Sequence, residues 1–150
     1  MKMPPRPQSI EHLFIVNPAG GLIFNLVWGA AQPLSENDAL RMASTFHSLH
    51  AISQQMSPSG KGGGIVELET SGFSLRCFQS GTGLKFFCTC APGTQQVPLY
   101  LRTVHELYSD WVLKDPFYEL DMPIRVEKFE QKLLALTLEK FGPRVSPTIA

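Results

Sequence analysis

The chain carries little charge for its length and has no long apolar run. Charged residues make up only 17% of its 150 residues, and 13 Lys plus Arg balance 13 Asp plus Glu. A net charge of zero gives no broad cationic field, which excludes nucleic acid and anionic lipid as principal ligands. Because 43% of the residues are apolar, few polar residues are available to cover the surface. Part of the apolar surface is therefore expected to contact another protein.

Signals for export or membrane insertion are also missing from the sequence. Asn, Pro and Gly interrupt every apolar run well short of the roughly 20 residues that a spanning helix needs. Residues 1–9 contain three prolines and no apolar core, so they do not resemble a secretory signal and are predicted to be a disordered tail. Three cysteines, Cys77, Cys88 and Cys90, form an odd set that favours a reducing, cytoplasmic location.

What the sequence does contain is a regular succession of strand and helix patterns in one domain, residues 10–142, followed by a loose tail, 143–150. Period-two apolar segments bounded by turn formers predict strands, and apolar residues every three to four positions predict helices. The predicted strands are His12 to Asn17, Gly21 to Trp28, Ile65 to Thr70, Phe73 to Gln79 and Leu84 to Cys90. The predicted helices are Ser35 to Met56, a second one through Leu101, Val104 and Trp111 that ends near Pro116, and a third one from Val126 to Gly142. The order is β-β-α-β-β-β-α-α.

The strand patterns also predict where the strands lie in the sheet. The segment Leu84 to Cys90 is apolar on both faces, which is typical of a strand in the middle of a sheet that is covered on both sides. The segment Ile65 to Thr70 follows a glycine-rich loop and is expected at an edge. One helix is expected on one face of the sheet and two helices on the other.

Candidate chemical motifs in the sequence are weak, and no catalytic residue, metal ligand or cofactor site is predicted. His47 and His50 are three apart on the first helix, whereas the zinc-protease pattern needs four with a Glu between them. Cys88 and Cys90 share one face of a strand and are expected to pack in the core. The loop Ser59 to Gly63 lacks the residues of a phosphate-binding loop and is interpreted as a flexible linker.

Two neighbouring segments are the candidate partner-binding site. On the first helix, Met42, Phe46, Leu49 and Met56 account for a core stripe, and five further residues extend the apolar arc sideways: Leu40, Ala43, His47, His50 and Ala51. On the edge strand the candidates are Ile65, Val66, Glu67 and Leu68, whose unpaired backbone groups would accept a partner strand. An alternative stays open for each segment. The apolar arc of the first helix is simply a wide core face, and Glu67 and Glu69 prevent pairing at the edge strand.

Several segments of this sequence, in order, resemble the synbindin-type subunit of the TRAPP transport protein particle. The resemblance rests on Val16 to Ile23, Ala43 to Ile52, Leu68 to Thr70, Phe73 to Gln79, Thr82 to Phe86, Tyr108 to Asp110 and Lys114 to Arg125. Together these segments run from about Leu13 to Phe141. The resemblance implies an α+β, longin-like (SNARE-like) fold with a five-stranded antiparallel-type sheet, in agreement with the order of elements above.

The same resemblance implies a function in vesicle traffic. It implies a non-catalytic core subunit of a tethering complex that acts as a guanine-nucleotide exchange factor for a Rab-family GTPase in ER-to-Golgi transport. The implied partners are the other small subunits, including a second longin-like subunit, and the implied location is peripheral, at endoplasmic reticulum and cis-Golgi membranes. One alternative is a longin-type small chain of a coat adaptor or a SNARE-regulatory module. Another is a ligand-binding or enzymatic domain with a pocket between helix and sheet.

Overall fold

The computed structural model describes residues 10–28, 35–56, 67–69 and 71–142, which form one antiparallel sheet between helical layers. Its strands are β1 (Ile10–Val16), β2 (Leu22–Val27), β3 (Glu67–Glu69), β4 (Ser74–Gln79) and β5 (Lys85–Cys90). Its helices are α1 (Glu36–Met56), α2 (Val97–Leu107), which continues into a π-helical segment (Tyr108–Val112), and α3 (Glu127–Phe141). The predicted order of elements is confirmed. The predicted tails, 1–9 and 143–150, lie outside the described residues.

The sheet has the strand order β2-β1-β5-β4-β3, and all of its pairs are antiparallel. Strand β5 lies at the centre with all six of its residues buried, as its two-sided apolar pattern predicts. Strand β3 lies at an edge among the described strands, which confirms the predicted edge position. The sheet therefore has one short, exposed edge strand, β3.

The alternation of side chains along the strands separates two cores. On one face, Phe14, Leu75 and Phe87 pack with Ala39 and Ala43 of α1. On the other face the larger core joins β-strand residues to α2, the π-helical segment and α3; it includes Leu13, Ile15, Phe86, Cys88, Cys90, Tyr100, Val104, Phe129 and Leu133. The prediction of one helix against one face and two against the other is confirmed.

The cysteines belong to these cores, as predicted for Cys88 and Cys90. All three are free and buried, and burial raises the pKa of the Cys88 thiol well above its ordinary value. A thiol held in its neutral form behaves as a small apolar group and is a poor nucleophile and metal ligand. Their contribution here is to packing.

Local hydrogen bonds fix both the start of α1 and the turn between β1 and β2. The Asp38 amide donates to Ser35 Oγ at 3.2 Å, which is an N-cap hydrogen bond. In the β1–β2 turn the Gly21 amide donates to Asn17 Oδ1 at 2.8 Å. Gly20 adopts φ +97° in this turn, a conformation that glycine adopts without strain. The turn is thereby closed tightly against α1.

Helix α1 lies on the sheet through its small residues, which corrects the predicted core stripe. Ala39, Ala43 and His50 are its buried residues, whereas Leu49 is 39% exposed and Met56 is 76% exposed. The assignment of Leu49 and Met56 to the core is therefore wrong. Because alanines let the helix axis approach the sheet closely, the larger side chains on either side are displaced onto the flanks of the helix.

Candidate functional site

The two flanks of α1 face different parts of the sheet. Leu40, which is 44% exposed, borders a cavity with Leu22 and Phe24 of β2 and with Pro123. His47 lies over the β1–β2 turn, where a Cβ added to Gly20 would come within 2.9 Å of His47 Cδ2. Leu40 and His47 therefore lie on the flank toward β2, away from the edge strand with which they were expected to form one surface.

The opposite flank of α1 carries a stripe of large apolar side chains. Met42 and Phe46 lie over the sheet beside Phe73, the residue before β4. In the second half of α1, Leu49, Ile52 and Met56 recur at helical spacing and are 39%, 52% and 76% exposed. This exposed apolar stripe, here called the α1 ridge, consists of those three residues.

Strand β3 forms the edge of the sheet beside β4 among the described strands. Leu68 is 39% exposed and lies opposite Leu75, a residue of the core beneath α1. Glu67 pairs with Arg76 at 2.7 Å, across the ladder between β3 and β4. That pairing gives Glu67 a partner within the chain, so it is not an isolated charge that only repels neighbouring strands. The two other candidates on this strand, Ile65 and Val66, lie outside the described residues.

Two of the predicted contact residues on α1 are not on its surface. Ala43 and His50 are each only 1% exposed, so their expected direct contact with a partner is wrong. The imidazole of His50 bonds Gln79 Oε1 through Nε2 at 2.8 Å and lies 3.8 Å from Cys77 Sγ through Nδ1. The hydrogen-bonding capacity of the ring is thus used within the chain, which allows a histidine to replace an apolar residue in the core. Ala51 is half-buried.

A polar cluster lies under the second half of α1. It consists of His47, His50, Cys77, Gln79 and Lys85, with the buried Lys85 ammonium 3.5 Å from the Gly83 carbonyl oxygen. Burial lowers the pKa of His47, with Lys85 and His50 adding to the shift, and burial also lowers the pKa of Lys85. Burial raises the pKa of Cys77 to about 12, against the opposing effect of Lys85. The thiol therefore stays neutral at physiological pH.

A second exposed apolar surface, which the sequence reading did not select, lies in the loop after the π-helical segment. Phe117 is 93% exposed and Leu120 is 71% exposed. The loop that carries them is internally bonded, because the Phe117 amide donates to Asp115 Oδ1 at 2.9 Å and the Tyr118 hydroxyl donates to the Met122 carbonyl at 2.8 Å. In the sequence, the signal for this surface is a run of large apolar residues from Phe117 to Met122 without helical or strand period.

The described parts of the chain contain neither a metal cluster nor a membrane-spanning helix. Residues 10–28, 35–56, 67–69 and 71–142 contain no group of three or more His, Cys, Asp or Glu side chains placed to hold a metal ion. Across the same ranges, none of the helices combines the length and hydrophobicity needed to cross a bilayer.

The architecture defines the class of protein first. A Roadblock/LC7 domain from Streptomyces avermitilis superposes with a TM-score of 0.51 at 13% sequence identity, covering 69% of this chain and 89% of that one. Identity this low shows the fold alone, and the fold is the α+β, longin-like one that the sequence predicts. The sequence itself gives the family: residues 10–140 match the model of the Sybindin-like family, and the chain belongs to that family.

Curated relatives give the same result at higher identity. A protein from Dictyostelium discoideum named "Trafficking protein particle complex subunit 4" is 48% identical over 126 residues, which are 83% of this chain and 93% of that protein. Proteins of the same name from Bos taurus and Homo sapiens are 48% and 47% identical over 115 residues, which are 73% of this chain. The chain spans about half the length of these two relatives, 52% of each. The resemblance drawn from its residues is thus confirmed at the level of the family.

Proposed function

We propose that this chain is a structural subunit of a trafficking protein particle (TRAPP) complex, with the α1 ridge and strand β3 as its contact with a second longin-like subunit. The observation that carries the proposal is the exposed apolar stripe Leu49, Ile52 and Met56 in a chain of the Sybindin-like family. Apolar patches of this kind on soluble domains mark protein interfaces. The relatives named above as complex subunits support the same assignment.

The contact on β3 is proposed to add a strand to the sheet. Edge strands present backbone donors and acceptors that a partner strand satisfies. Leu68, on the face of β3 toward α1, would be buried together with the α1 ridge. The joint structure would be one continuous sheet with two helices, one from each subunit, side by side on the same face.

The assembled complex, in this proposal, is the guanine-nucleotide exchange factor for a Rab-family GTPase in ER-to-Golgi traffic, and this chain forms part of the platform. Exchange needs no nucleophile or general base, because a factor that binds the nucleotide-free conformation more tightly shifts the population by that difference. Each tenfold preference requires about 1.4 kcal/mol of differential contact. Several subunits contribute that contact more readily than one small domain. Binding to endoplasmic reticulum and cis-Golgi membranes would then be peripheral and depend on the complex.

The test of the interface is a double substitution, Ile52→Asp with Leu68→Asp, in the tagged chain expressed in its own cell. Two exposed carboxylates in an apolar contact are expected to reduce recovery of a second longin-like subunit at least tenfold, measured by quantitative mass spectrometry. Leu99→Asp is the matched control, because Leu99 is 56% exposed on α2, in the other helical layer. Undiminished recovery with the double variant would refute the proposed interface.

The candidates on the other flank of α1 have a separate test. If the partner helix contacts both flanks of α1, Leu40→Asp should weaken the complex, and His47→Gln should weaken it less. If the partner contacts only the α1 ridge and β3, Leu40→Asp should have no effect on the complex. Nucleotide release from the GTPase, followed with a fluorescent nucleotide, should fall in parallel with recovery of the complex.

The second candidate function is that of a small chain of a coat adaptor or of a SNARE-regulatory module. The longin-like fold fits this function as well as it fits the first one. The same affinity experiment distinguishes the two functions. Large adaptor subunits, in place of small longin-like ones, would be recovered with the wild-type chain if it were an adaptor subunit.

A further inference from the structure

A groove of about 320 Å³ lies between the first half of α1 and the sheet. Its walls are Met42 and Phe46 from α1 and Phe73 from the start of β4, and its floor includes His12 and Thr89. Glu11 and Arg41 contribute one charge of each sign to the lining. Its volume is at the lower end of the range for small-molecule sites, which are concave and mostly apolar with a few fixed polar groups.

The polar group in this groove is the imidazole of His12. The His12 side chain is 6% exposed, and its Nδ1 atom has no hydrogen-bond partner within the described residues. The neighbouring Thr89 hydroxyl is already engaged, because it accepts a hydrogen bond from the His12 backbone amide at 3.1 Å. A buried polar atom without a partner is costly, and native proteins rarely retain one without water, a ligand or a function.

We propose that this groove binds a phenolic group, with the aromatic ring between Phe46 and Phe73 and the hydroxyl hydrogen-bonded to Nδ1 of His12. This proposal does not depend on the proposed function, because its ligand is defined by the groove alone.

The aromatic part of the ligand is argued from the walls. Two phenylalanine rings and a methionine thioether are the side chains that interact best with another aromatic ring, through edge-to-face and sulfur contacts. Phe46 already contacts Phe14 and Phe87 at centroid distances of 5.8 and 5.4 Å. Its ring is therefore held in place from below, and a bound ring would extend an existing aromatic cluster.

The hydroxyl part of the ligand is argued from the imidazole. Burial lowers the pKa of His12, with an opposing effect of Glu11, so the ring is neutral at physiological pH and Nδ1 is a donor or an acceptor according to the tautomer. A hydroxyl both donates and accepts, and it satisfies either tautomer. The neutral imidazole offers no opposite charge to a carboxylate or an ammonium group, which in this groove would have to pair with Arg41 or Glu11 instead.

The test uses the full chain labelled with 15N and titrated with p-cresol. Saturable shifts are expected at the amides of Arg41 to Phe46 and of His12 and Thr89. Toluene, which has the same ring without the hydroxyl, should bind roughly fivefold more weakly, the value of one hydrogen bond. Equal affinity for toluene, or shifts scattered over the whole surface, would overturn the proposal.

Two matched variants separate binding from folding. Thr45 lines the groove, and its hydroxyl bonds the Arg41 carbonyl one turn back at 2.8 Å. Thr103 makes the same bond to Leu99 at 2.9 Å on α2, far from the groove. Thr45→Trp should abolish p-cresol binding while Thr103→Trp retains it. Full binding by Thr45→Trp would exclude the groove as the site.

The imidazole and the source of the phenol are tested in the same way. His12→Phe should bind p-cresol and toluene equally, and a persistent preference for p-cresol would refute the role of Nδ1. N-acetyl-tyrosinamide distinguishes the two sources of a phenol: binding at least as tight as that of p-cresol assigns the groove to a tyrosine side chain of a protein, and weaker binding assigns it to a free small molecule. Failure of both compounds to bind overturns the proposal and leaves the proposed function untouched.

Discussion

At the scale of single residues, one pair of buried polar side chains joins two helices by a hydrogen bond. Between α2 and α3, the Tyr100 hydroxyl lies 2.8 Å from Thr137 Oγ1, and the Thr137 hydroxyl donates to the Leu133 carbonyl at 2.8 Å. Both side chains are fully buried, and burial raises the pKa of Tyr100. This pair connects the two helices at a point where apolar packing alone would leave their relative rotation less defined.

The first prediction concerns this pair. Thr137→Val is expected to lower the free energy of unfolding by about 1–3 kcal/mol, because it leaves the Tyr100 hydroxyl buried without a partner. Adding Tyr100→Phe should restore a large part of that loss, since the double variant buries no orphaned group. Urea denaturation of the wild type, both single variants and the double variant measures the coupling. Strictly additive effects would contradict it.

A second residue-scale prediction concerns acidification. Burial lowers the pKa of His12 below its unfolded value, so the unfolded chain binds more protons wherever the pH lies between the two values. The free energy of unfolding therefore rises with pH across that interval and falls when the pH is lowered below about 6.5. His47, with a pKa that is also lowered, contributes with the same sign.

His12→Gln removes one of these titrating groups. The urea midpoint of the wild type should fall between about pH 7.5 and about pH 5.5, and that of His12→Gln should fall less. Thermal or urea denaturation at several pH values at constant ionic strength measures both slopes. Identical slopes would mean that His12 titrates in the folded chain as it does in the unfolded chain.

At the scale of elements, the close approach of the β1–β2 turn to α1 depends on one glycine. Gly20 has φ +97°, and a Cβ there would come within 2.9 Å of His47 Cδ2. Gly20→Ala is expected to cost more than about 1 kcal/mol, from backbone strain and the clash together. Gly81 is the control, because a Cβ there meets nothing within 4 Å in the structure.

A further substitution divides this cost into its two causes. Combining Gly20→Ala with His47→Ala removes the clash and leaves the backbone strain, so the double variant should lose less stability than the sum of the two single changes. Differential scanning calorimetry of the four proteins measures this. A Gly20→Ala variant as stable as Gly81→Ala would show that the turn can move away from α1 at no cost.

Elements are also the scale at which the sequence is most informative. The central position of β5 follows from the pattern of Leu84 to Cys90, whose two apolar faces can be satisfied only inside the sheet. The stripe of α1 was predicted incorrectly, because Ala43 and His50 are less apolar than Leu49 and Met56 and yet are buried. The partner that makes His50 a core residue, Gln79, is 29 positions away, and no local pattern contains that information. The same applies to the groove, which joins residues of β1, α1 and β5 with Phe73, the residue before β4.

At the scale of the whole molecule, two groups of exposed apolar side chains are candidate contact surfaces. One is the α1 ridge, and the other is the loop with Phe117 and Leu120. The loop is held in one conformation by its own hydrogen bonds, and Asp121 adopts φ +69° within it. A preorganised loop loses little conformational entropy on binding. We therefore expect a chain without its partners to associate with itself in solution.

The last prediction uses that expectation. The isolated chain should show concentration-dependent association in sedimentation velocity, and Leu49→Asp with Ile52→Asp should reduce it by placing two charges on the α1 ridge. Ser44→Asp with Ser48→Asp adds the same charge to exposed polar positions of the same helix and should leave association unchanged. If both pairs act equally, net charge controls association through general repulsion, and the ridge is not a specific contact. If only the first pair acts, the apolar ridge drives contact even without a natural partner.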